Sequence, residues 1–129
     1  EINEMLKEWK VKEIAFDSWN AMSLATELEA DGLHPVEVRQ GFKTLSEPTK
    51  ELSALLATGR LQHGGHPVLR WMADNMIVRS DANGNIAPDK QRAAEKIDAI
   101  VALIMALSRK NGLSGRNTSG LKSRGLIVL

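Results

Sequence analysis

The chain of 129 residues contains no cysteine. This absence excludes a disulfide framework, a thiolate zinc site and a cysteine nucleophile. The longest apolar run, residues 99–107, has about half the length that a bilayer crossing needs, so we expect a soluble protein with no membrane partner. The phosphate-binding pattern Gly-x-x-x-x-Gly-Lys-Ser/Thr is also missing, which excludes nucleotide binding by that loop. The length favours a single domain.

The net charge of +1 conceals an uneven distribution of charge along the chain. Residues 108–129 carry five of the 17 basic residues and none of the 16 acidic ones, which leaves 12 basic residues against 16 acidic ones, or −4, on the rest. We therefore predict a globular part over residues 1–108 and a basic, disordered tail over residues 109–129. Such a tail is either a solvated extension or an arm that contacts nucleic acid or an acidic partner.

A strand-helix-strand unit is predicted near the amino-terminal end. The apolar run over residues 11–16 indicates a strand that ends at Asp17. Ser18 is a suitable cap for a following helix, which Asp31-Gly32 stops, and alternation over residues 36–39 indicates a second strand. Such a unit normally joins parallel strands, and ligands of open sheets bind at the carboxyl ends of the strands. Asp17 is therefore expected at a ligand-binding edge.

Two helices are predicted in the middle of the chain. Ser46 and Pro48 are expected to open the first, which closes near Gly59. Pro67 starts the second, which is entered through the segment His63-Gly64-Gly65-His66. Two imidazoles could in principle bind a metal ion, but no third ligand stands at a recognised spacing, so we interpret this segment as a turn.

The Asn83-Gly84 pair predicts the turn of a small hairpin, flanked by Ile77-Val78 and Ile86. Aspartate and asparagine at positions 81, 83 and 85 imitate the start of a calcium loop. Ile86 stands where such a loop needs glycine, however, and Arg92 stands where it needs a bidentate glutamate. We therefore expect no calcium loop here.

The last helix is predicted over residues 89–107, with a second half that is apolar nearly all round and therefore buried. Asp98 is the only acid in that apolar run and shares the predicted helix face with Glu95. Because a buried carboxylate needs a cation or hydrogen-bond donors, Asp17 and Asp98 are candidate metal ligands. The alternatives are a helix cap for Asp17 and neutralisation by a buried lysine or arginine for Asp98.

Four segments resemble the nuclease domain of tailed-phage terminase large subunits. They are IAFDSWNA over residues 14–21, QGFK with SEPTKEL over residues 40–52, HGGHPVLRWMADN over residues 63–75, and EKIDAIVAL over residues 95–103. Each segment alone is a weak signal, but the four follow the order of the family, and together they are specific. The resemblance covers about residues 1–108.

This resemblance implies an α/β, RNase H-like nuclease domain, truncated at its amino-terminal strands, because the family's first catalytic acid and its ATPase motor lie upstream of the matched part. It implies a metal-dependent endonuclease that cuts concatemeric double-stranded DNA during packaging. In the family three acids bind two Mg²⁺ or Mn²⁺ ions, and the second and third map onto Asp17 and Asp98. These two are thus the expected catalytic metal ligands, and we expect the chain alone to cut DNA poorly or not at all.

The resemblance also implies partners, which are double-stranded DNA, the terminase small subunit and the portal or procapsid, and a location in the cytoplasm of the bacterial host. Lys43 and Lys50 are candidate phosphate contacts, although exposed lysines more often only solvate a surface. In this family the absent upstream strands would cover one edge of the strand over residues 11–16. We therefore predict that this open edge pairs with another copy of the chain, or with the apolar residues 126–129 of the same chain.

Two other interpretations stay open. One is a noncatalytic packaging or interaction module that is retained for its surface and tail after loss of the first acid. The other is a different RNase H-like enzyme, such as a resolvase or an integrase. The His63-Gly64-Gly65-His66-Pro67 stretch argues against the second, because it belongs to the terminase resemblance.

Overall fold

The computed structural model describes residues 2–17 and 21–114. The chain divides after Arg39 into two compact units. The described residues of the first unit form two helices and two short strands: α1 (Ile2–Glu8), β1 (Ile14–Phe16), α2 (Met22–Ala30) and β2 (Pro35–Glu37).

Strands β1 and β2 pair in parallel, with Ile14 opposite Pro35. The N–H of Ile14 donates to the carbonyl of His34 at 2.9 Å, and the N–H of Val38 donates to the carbonyl of Phe16 at 2.8 Å. The predicted strand-helix-strand unit is therefore confirmed, with strands shorter than the apolar runs. A parallel pair needs a crossover connection, and α2 provides it.

Helix α2 buries Ala25 and Leu28. It ends before Gly32, whose φ of 79° places it in the left-handed region that glycine adopts without strain. This confirms the predicted stop. The helix begins at Met22, with Ala21 at the N-cap position, and the predicted cap Ser18 lies outside the described residues.

Up to Ser114, where the described part of the second unit ends, three helices and a hairpin are present: α3 (Phe42–Ala57), α4 (Pro67–Asp74), β3 (Val78–Ser80), β4 (Ile86–Pro88) and α5 (Asp98–Ser114). Its core lies where α3 packs against α5 and β4. The largest fully buried side chains there are Leu45, Ile104 and Leu107. The hairpin predicted around Asn83-Gly84 and the helix predicted to start at Pro67 are both confirmed.

The predicted start of α3 at Ser46 and Pro48 is wrong, because the helix already begins at Phe42 and contains Pro48. A proline inside a helix removes one N–H donor and costs about 3 kcal/mol relative to alanine. Leu45 is 2% exposed and Pro48 is also buried, so packing of this first part of the helix offsets that cost. Tertiary contacts here override the local signal.

The predicted bounds of the last helix, residues 89–107, are also wrong. The Oδ1 atom of Asp89 accepts hydrogen bonds from the N–H groups of Gln91 and Arg92 at 3.1 and 3.2 Å. The N–H of Ala93 also donates to the carbonyl of Asp89 at 3.1 Å, so Asp89 caps one isolated turn in the manner of a helix N-cap, and that turn is not continued into α5. Helix α5 begins only at Asp98 and continues to Ser114, past the end predicted at residue 107. Residues 115–129, which hold most of the predicted tail, lie outside the described residues.

The last turns of α5 contact α3. Lys110 lies 3.5 Å from a carboxylate oxygen of Glu51, and the side-chain amide of Asn111 donates to the other oxygen. Residues 109–111 are thus part of the helical unit rather than of an extended tail. Among the described residues, no helix is both long and apolar enough to cross a membrane.

Candidate functional site

Asp17 directly follows β1 and is partly buried. Because β1 and β2 run in parallel, their carboxyl ends lie at the same edge of the sheet. The structure therefore places Asp17 where the sequence predicts it, at the carboxyl end of a strand. Its role as a metal ligand stays a prediction.

Asp98 is the first residue of α5, and its side chain is 62% exposed. The prediction that Asp98 interrupts a buried helical run is wrong. Ile97 and Ile100 are buried, but the side chain of Asp98 between them is exposed. Its Oδ1 atom lies 3.2 Å from the Nζ atom of Lys90, which is 52% exposed. The carboxylate is therefore paired with a lysine, as one alternative proposed, but at the surface. An acid in the first turn also interacts favourably with the helix dipole.

A small cavity of about 120 Å³ opens beside Asp98. Glu95 lines this cavity too, although it lies in the turn before α5 and not on a helix face shared with Asp98. Two carboxylates and two ammonium groups thus border one small space, lined by Lys90, Glu95, Lys96, Ile97 and Asp98. The sequence analysis missed Lys90 and Lys96. The Pro88-Asp89 pair is a turn signal, and it could have predicted that Lys90 and Lys96 lie before the last helix rather than in it.

Asp98 and Glu95 supply carboxylate oxygens at this cavity, but Lys90 and Lys96 border the same space, so the lining alone does not make a cation site. Mg²⁺ is bound through one or two carboxylates while it keeps several of its waters, and Mn²⁺ prefers oxygen ligands as well. The exposed oxygens of Asp98 can take such a ligand position without burying an unpaired charge. Within residues 2–17 and 21–114, no three acidic or histidine side chains form a group that could hold a metal ion.

Lys43 and Lys50 lie seven residues apart on the exposed face of α3. Residues at this spacing share a helix face, so both ammonium groups can face one partner. Glu47 lies between them in sequence and contacts Lys50 at 3.3 Å. The acid reduces the positive potential of this face, so the pair forms a weak basic patch rather than a strong one.

Both imidazoles of the His63-Gly64-Gly65-His66 segment serve the local backbone. The Nδ1 atom of His63 accepts a hydrogen bond from the N–H of Gly65 at 3.1 Å. The Nδ1 atom of His66 accepts from the N–H of Val68 at 3.3 Å and caps α4. Positive φ angles at Gly64 and Gly65 complete the turn. The interpretation of this segment as a turn is confirmed.

The Asp81 carboxylate is likewise used inside its own loop. One oxygen accepts from the N–H groups of Asn83 and Asn85, each at 2.9 Å, and the other accepts from the side-chain amide of Asn85 at 2.8 Å. The Asn85 side-chain bond is the main reason why the pKa of Asp81 lies below its ordinary value. These bonds give the carboxylate a structural role in the hairpin turn.

Comparison with known proteins gives consistent matches. The sequence pattern of the terminase large subunit, endonuclease domain, matches residues 2–112. The chain is 37% identical over 114 residues to the terminase large subunit of Enterobacteria phage HK97, and 36% identical over 101 residues to protein YmfN of Escherichia coli strain K12. These alignments cover 87% and 77% of this chain, but 23% and 22% of the two relatives.

A solved structure agrees with these sequence matches. The crystal structure of the HK97 bacteriophage large terminase superposes with a TM-score of 0.75 and 36% sequence identity, over 84% of this chain and 23% of that one. The mixed α/β fold is therefore similar to part of that terminase. The chain spans less than a quarter of the length of these relatives.

Proposed function

The chain belongs to the family of terminase large subunit endonuclease domains, and from that premise we propose that it forms part of a two-metal-dependent endonuclease that cuts concatemeric double-stranded DNA during phage DNA packaging. The match of the endonuclease pattern over residues 2–112 carries this proposal. Because the chain spans 23% of the HK97 relative, the activity is proposed for a larger whole. The chain alone is expected to cut DNA poorly or not at all, since it offers two of the family's three acids.

The fold within this proposal is the RNase H-like one. Its support is the parallel pair β1 and β2, joined by α2, with Asp17 at the carboxyl end of β1. An open sheet binds ligands at this end of its strands, so an acid there is well placed for chemistry.

Asp17 and Asp98 are the proposed metal ligands, and Mg²⁺ or Mn²⁺ the proposed ions. Bound divalent ions of this kind activate a water molecule and stabilise the leaving oxygen of a phosphodiester. Both side chains would act as ligands rather than as general bases. Asp98 is presented from the first turn of α5, directly after the buried Ile97, so its backbone is held in place while its carboxylate remains exposed.

Contact with DNA is proposed for the exposed face of α3. Lys43 and Lys50 would neutralise phosphates there, and Glu47 would limit the strength of that contact. The proposed partners are double-stranded DNA, the terminase small subunit and the portal or procapsid, in the cytoplasm of the bacterial host.

The test is a chimeric protein in which the upstream residues of the HK97 terminase large subunit precede this chain. We expect it to nick supercoiled plasmid only when Mg²⁺ or Mn²⁺ is present. Asp98→Asn and Asp17→Asn should each lower the rate more than about 100-fold, because a lost ligand weakens ion binding directly. Asp74→Asn, an exposed acid on α4, is the matched control and should leave the rate unchanged.

Two outcomes would contradict the proposal. Robust cleavage by the chain alone, unaffected by Asp17→Asn, would show that the site is elsewhere. A chimera that binds DNA without cutting it under any metal condition would favour the noncatalytic packaging module instead.

A further inference from the structure

The second unit contains an apolar cavity of about 300 Å³ that is bordered by α3, α4, β3 and α5. Buried side chains form its floor, among them Leu52 and Leu103. Its mouth is apolar too, because Leu56 and Val78 line it and remain exposed. Water finds few hydrogen-bond partners in such a space, so an apolar ligand can replace it favourably.

Helix α4 leaves this space open. It packs against α5, yet none of its residues is buried. Ala73 lines the cavity from α4 with a single methyl group, so the helix does not fill the gap. Apolar cavities of about 150 Å³ already hold benzene, and this one is therefore large enough for a body of roughly ten carbon atoms.

Four polar side chains of the described residues line the cavity, and two of them keep donors for a ligand. The hydroxyls of Thr49 and Ser53 donate to carbonyl groups of α3 itself, at 2.6 and 3.2 Å. The Nδ1 atom of His63 accepts from the N–H of Gly65, so the neutral ring carries its proton on Nε2, and that N–H is a donor. The guanidinium group of Arg70 adds N–H donors and a positive charge.

The charge of Arg70 is not compensated by a neighbouring acid. Across residues 2–17 and 21–114, no carboxylate lies within ion-pair distance of its guanidinium group. The described lining also contains no acidic side chain, unlike that of the small cavity beside Asp98. Arginine binds a carboxylate through two parallel hydrogen bonds, so the polar end that fits this cavity is a carboxylate.

We propose that this cavity binds a small amphipathic carboxylate with an apolar body of roughly ten carbon atoms. The body packs against Leu52 and Leu103, while the carboxylate accepts hydrogen bonds from the guanidinium group of Arg70 and from the Nε2–H group of His63. Asp98 does not line this cavity, so binding here can be measured independently of the proposed endonuclease activity.

The experiment uses decanoate as the probe, added to the full chain below the concentration at which it forms micelles. Amide NMR signals around the cavity, such as those of Ala73 and Leu103, should shift and saturate. Arg70→Gln should weaken decanoate binding about three- to tenfold, because a partly exposed, charge-assisted contact is lost. Binding of decanol, which has the same apolar body without the charge, should stay unchanged in this variant.

Arg60→Gln is the matched control for charge. Arg60 is exposed and lies outside the described lining, so the same charge change should alter decanoate binding by less than about twofold.

Ala73→Leu tests the cavity itself, because the larger side chain occupies the space that the ligand needs. It should weaken the binding of both decanoate and decanol by at least about tenfold. Leucine is a good helix former, so α4 should be retained. Ala54→Leu, on the exposed side of α3 and outside the described lining, is its matched control and should bind like the wild type. Amide spectra verify that each variant is folded.

Three results would overturn the proposal. Wild-type signals that do not saturate with decanoate would show that there is no site. An equal loss in Arg70→Gln and Arg60→Gln, or an equal loss of decanoate and decanol binding in Arg70→Gln, would show that Arg70 does not bind the carboxylate. Unchanged binding in Ala73→Leu would place the ligand elsewhere. None of these measurements depends on DNA cleavage, so failure of the endonuclease proposal would leave them interpretable.

Discussion

The hydroxyl of Ser46 on α3 accepts a hydrogen bond from the backbone N–H of Ile86 at 3.1 Å, across 40 residues of sequence. Ser46 is 3% exposed, so solvent cannot readily replace this acceptor. The bond connects the first half of α3 to the strand β4 and explains why a polar side chain is buried between them.

Ser46→Ala should therefore lower the free energy of unfolding by about 1–2 kcal/mol, because it leaves the N–H of Ile86 without its acceptor. Urea unfolding measures the change. Ser53→Ala on the same helix is the matched control, since the Ser53 side chain is exposed and donates to the carbonyl of Thr49 within its own helix. We expect it to change stability by less than about 0.5 kcal/mol. Equal effects of the two variants would contradict a special role of Ser46.

The low pKa of Asp81 predicts a specific pH dependence. A carboxyl group with a depressed pKa in the folded state contributes stability above its unfolded pKa and loses that contribution as the pH falls through the folded pKa. Asn85→Ala removes the main cause, the side-chain amide bond, so the pKa of Asp81 should rise toward its ordinary value.

Carboxyl carbon NMR titration of Asp81 measures this shift. Asn83→Ala is the control, because Asn83 contributes through its backbone N–H, which the substitution retains. An Asp81 pKa that rises equally in both variants would show that loop geometry, and not the Asn85 side chain, sets it. The wild type should also lose more stability than Asn85→Ala on acidification.

The His66 cap on α4 predicts that variants at position 66 differ in stability according to how well the new residue caps a helix. His66→Ala should destabilise the second unit by about 0.5–1 kcal/mol, because the N–H of Val68 loses its acceptor. His66→Asn should restore most of this stability, since asparagine is a preferred N-cap residue. Thermal unfolding with and without Zn²⁺ measures both effects. Stabilisation of the wild type by Zn²⁺ that His66→Asn abolishes would instead indicate a metal site.

The outer edge of β1 predicts association between copies of the chain. The hydrogen bonds of Ile14 and Phe16 run toward β2, so the N–H and carbonyl of Ala15 point to the opposite edge. In the described residues this sheet has two strands. Such an edge is a template for strand pairing, so sedimentation velocity should show concentration-dependent association.

Ala15→Pro tests this edge, because proline removes the outward N–H while the bonds to β2 remain. It should weaken the association without unfolding the unit. Ile14→Pro is the matched control, since it removes the N–H that donates to His34 and should disrupt the β1–β2 pair itself. A wild type that sediments as a monomer at every concentration, with fast amide exchange in β1, would leave this prediction without support.

The features that the sequence predicts correctly depend on local chemistry. Gly32 can adopt the left-handed conformation that ends α2, and Gly84 does the same in the hairpin turn. Pro67 begins α4, where its missing N–H costs little. Asp17 follows a short apolar strand, so its place at the strand end also follows from the pattern.

The features that the sequence analysis missed depend on contacts between distant residues. The start of α3 at Phe42 is stabilised by burial of Leu45 against other elements, which overrides the signal of Pro48. The exposure of Asp98 depends on where α5 begins, and the turn that Asp89 caps over residues 89–93 is not continued into that helix. Its pairing with Lys90 crosses a turn that the helical periodicity concealed.

The hairpin turn also affects how the chain ages chemically. An Asn-Gly pair loses ammonia when the glycine nitrogen attacks the asparagine side-chain amide, which requires that nitrogen to be free. Here the N–H of Gly84 donates to the carbonyl of Asp81 at 3.2 Å, and the N–H of Asn83 is held by the carboxylate of the same residue. Deamidation of Asn83 therefore has to wait for the turn to open. The deamidation rate, measured by mass spectrometry, therefore reports how often this hairpin opens locally.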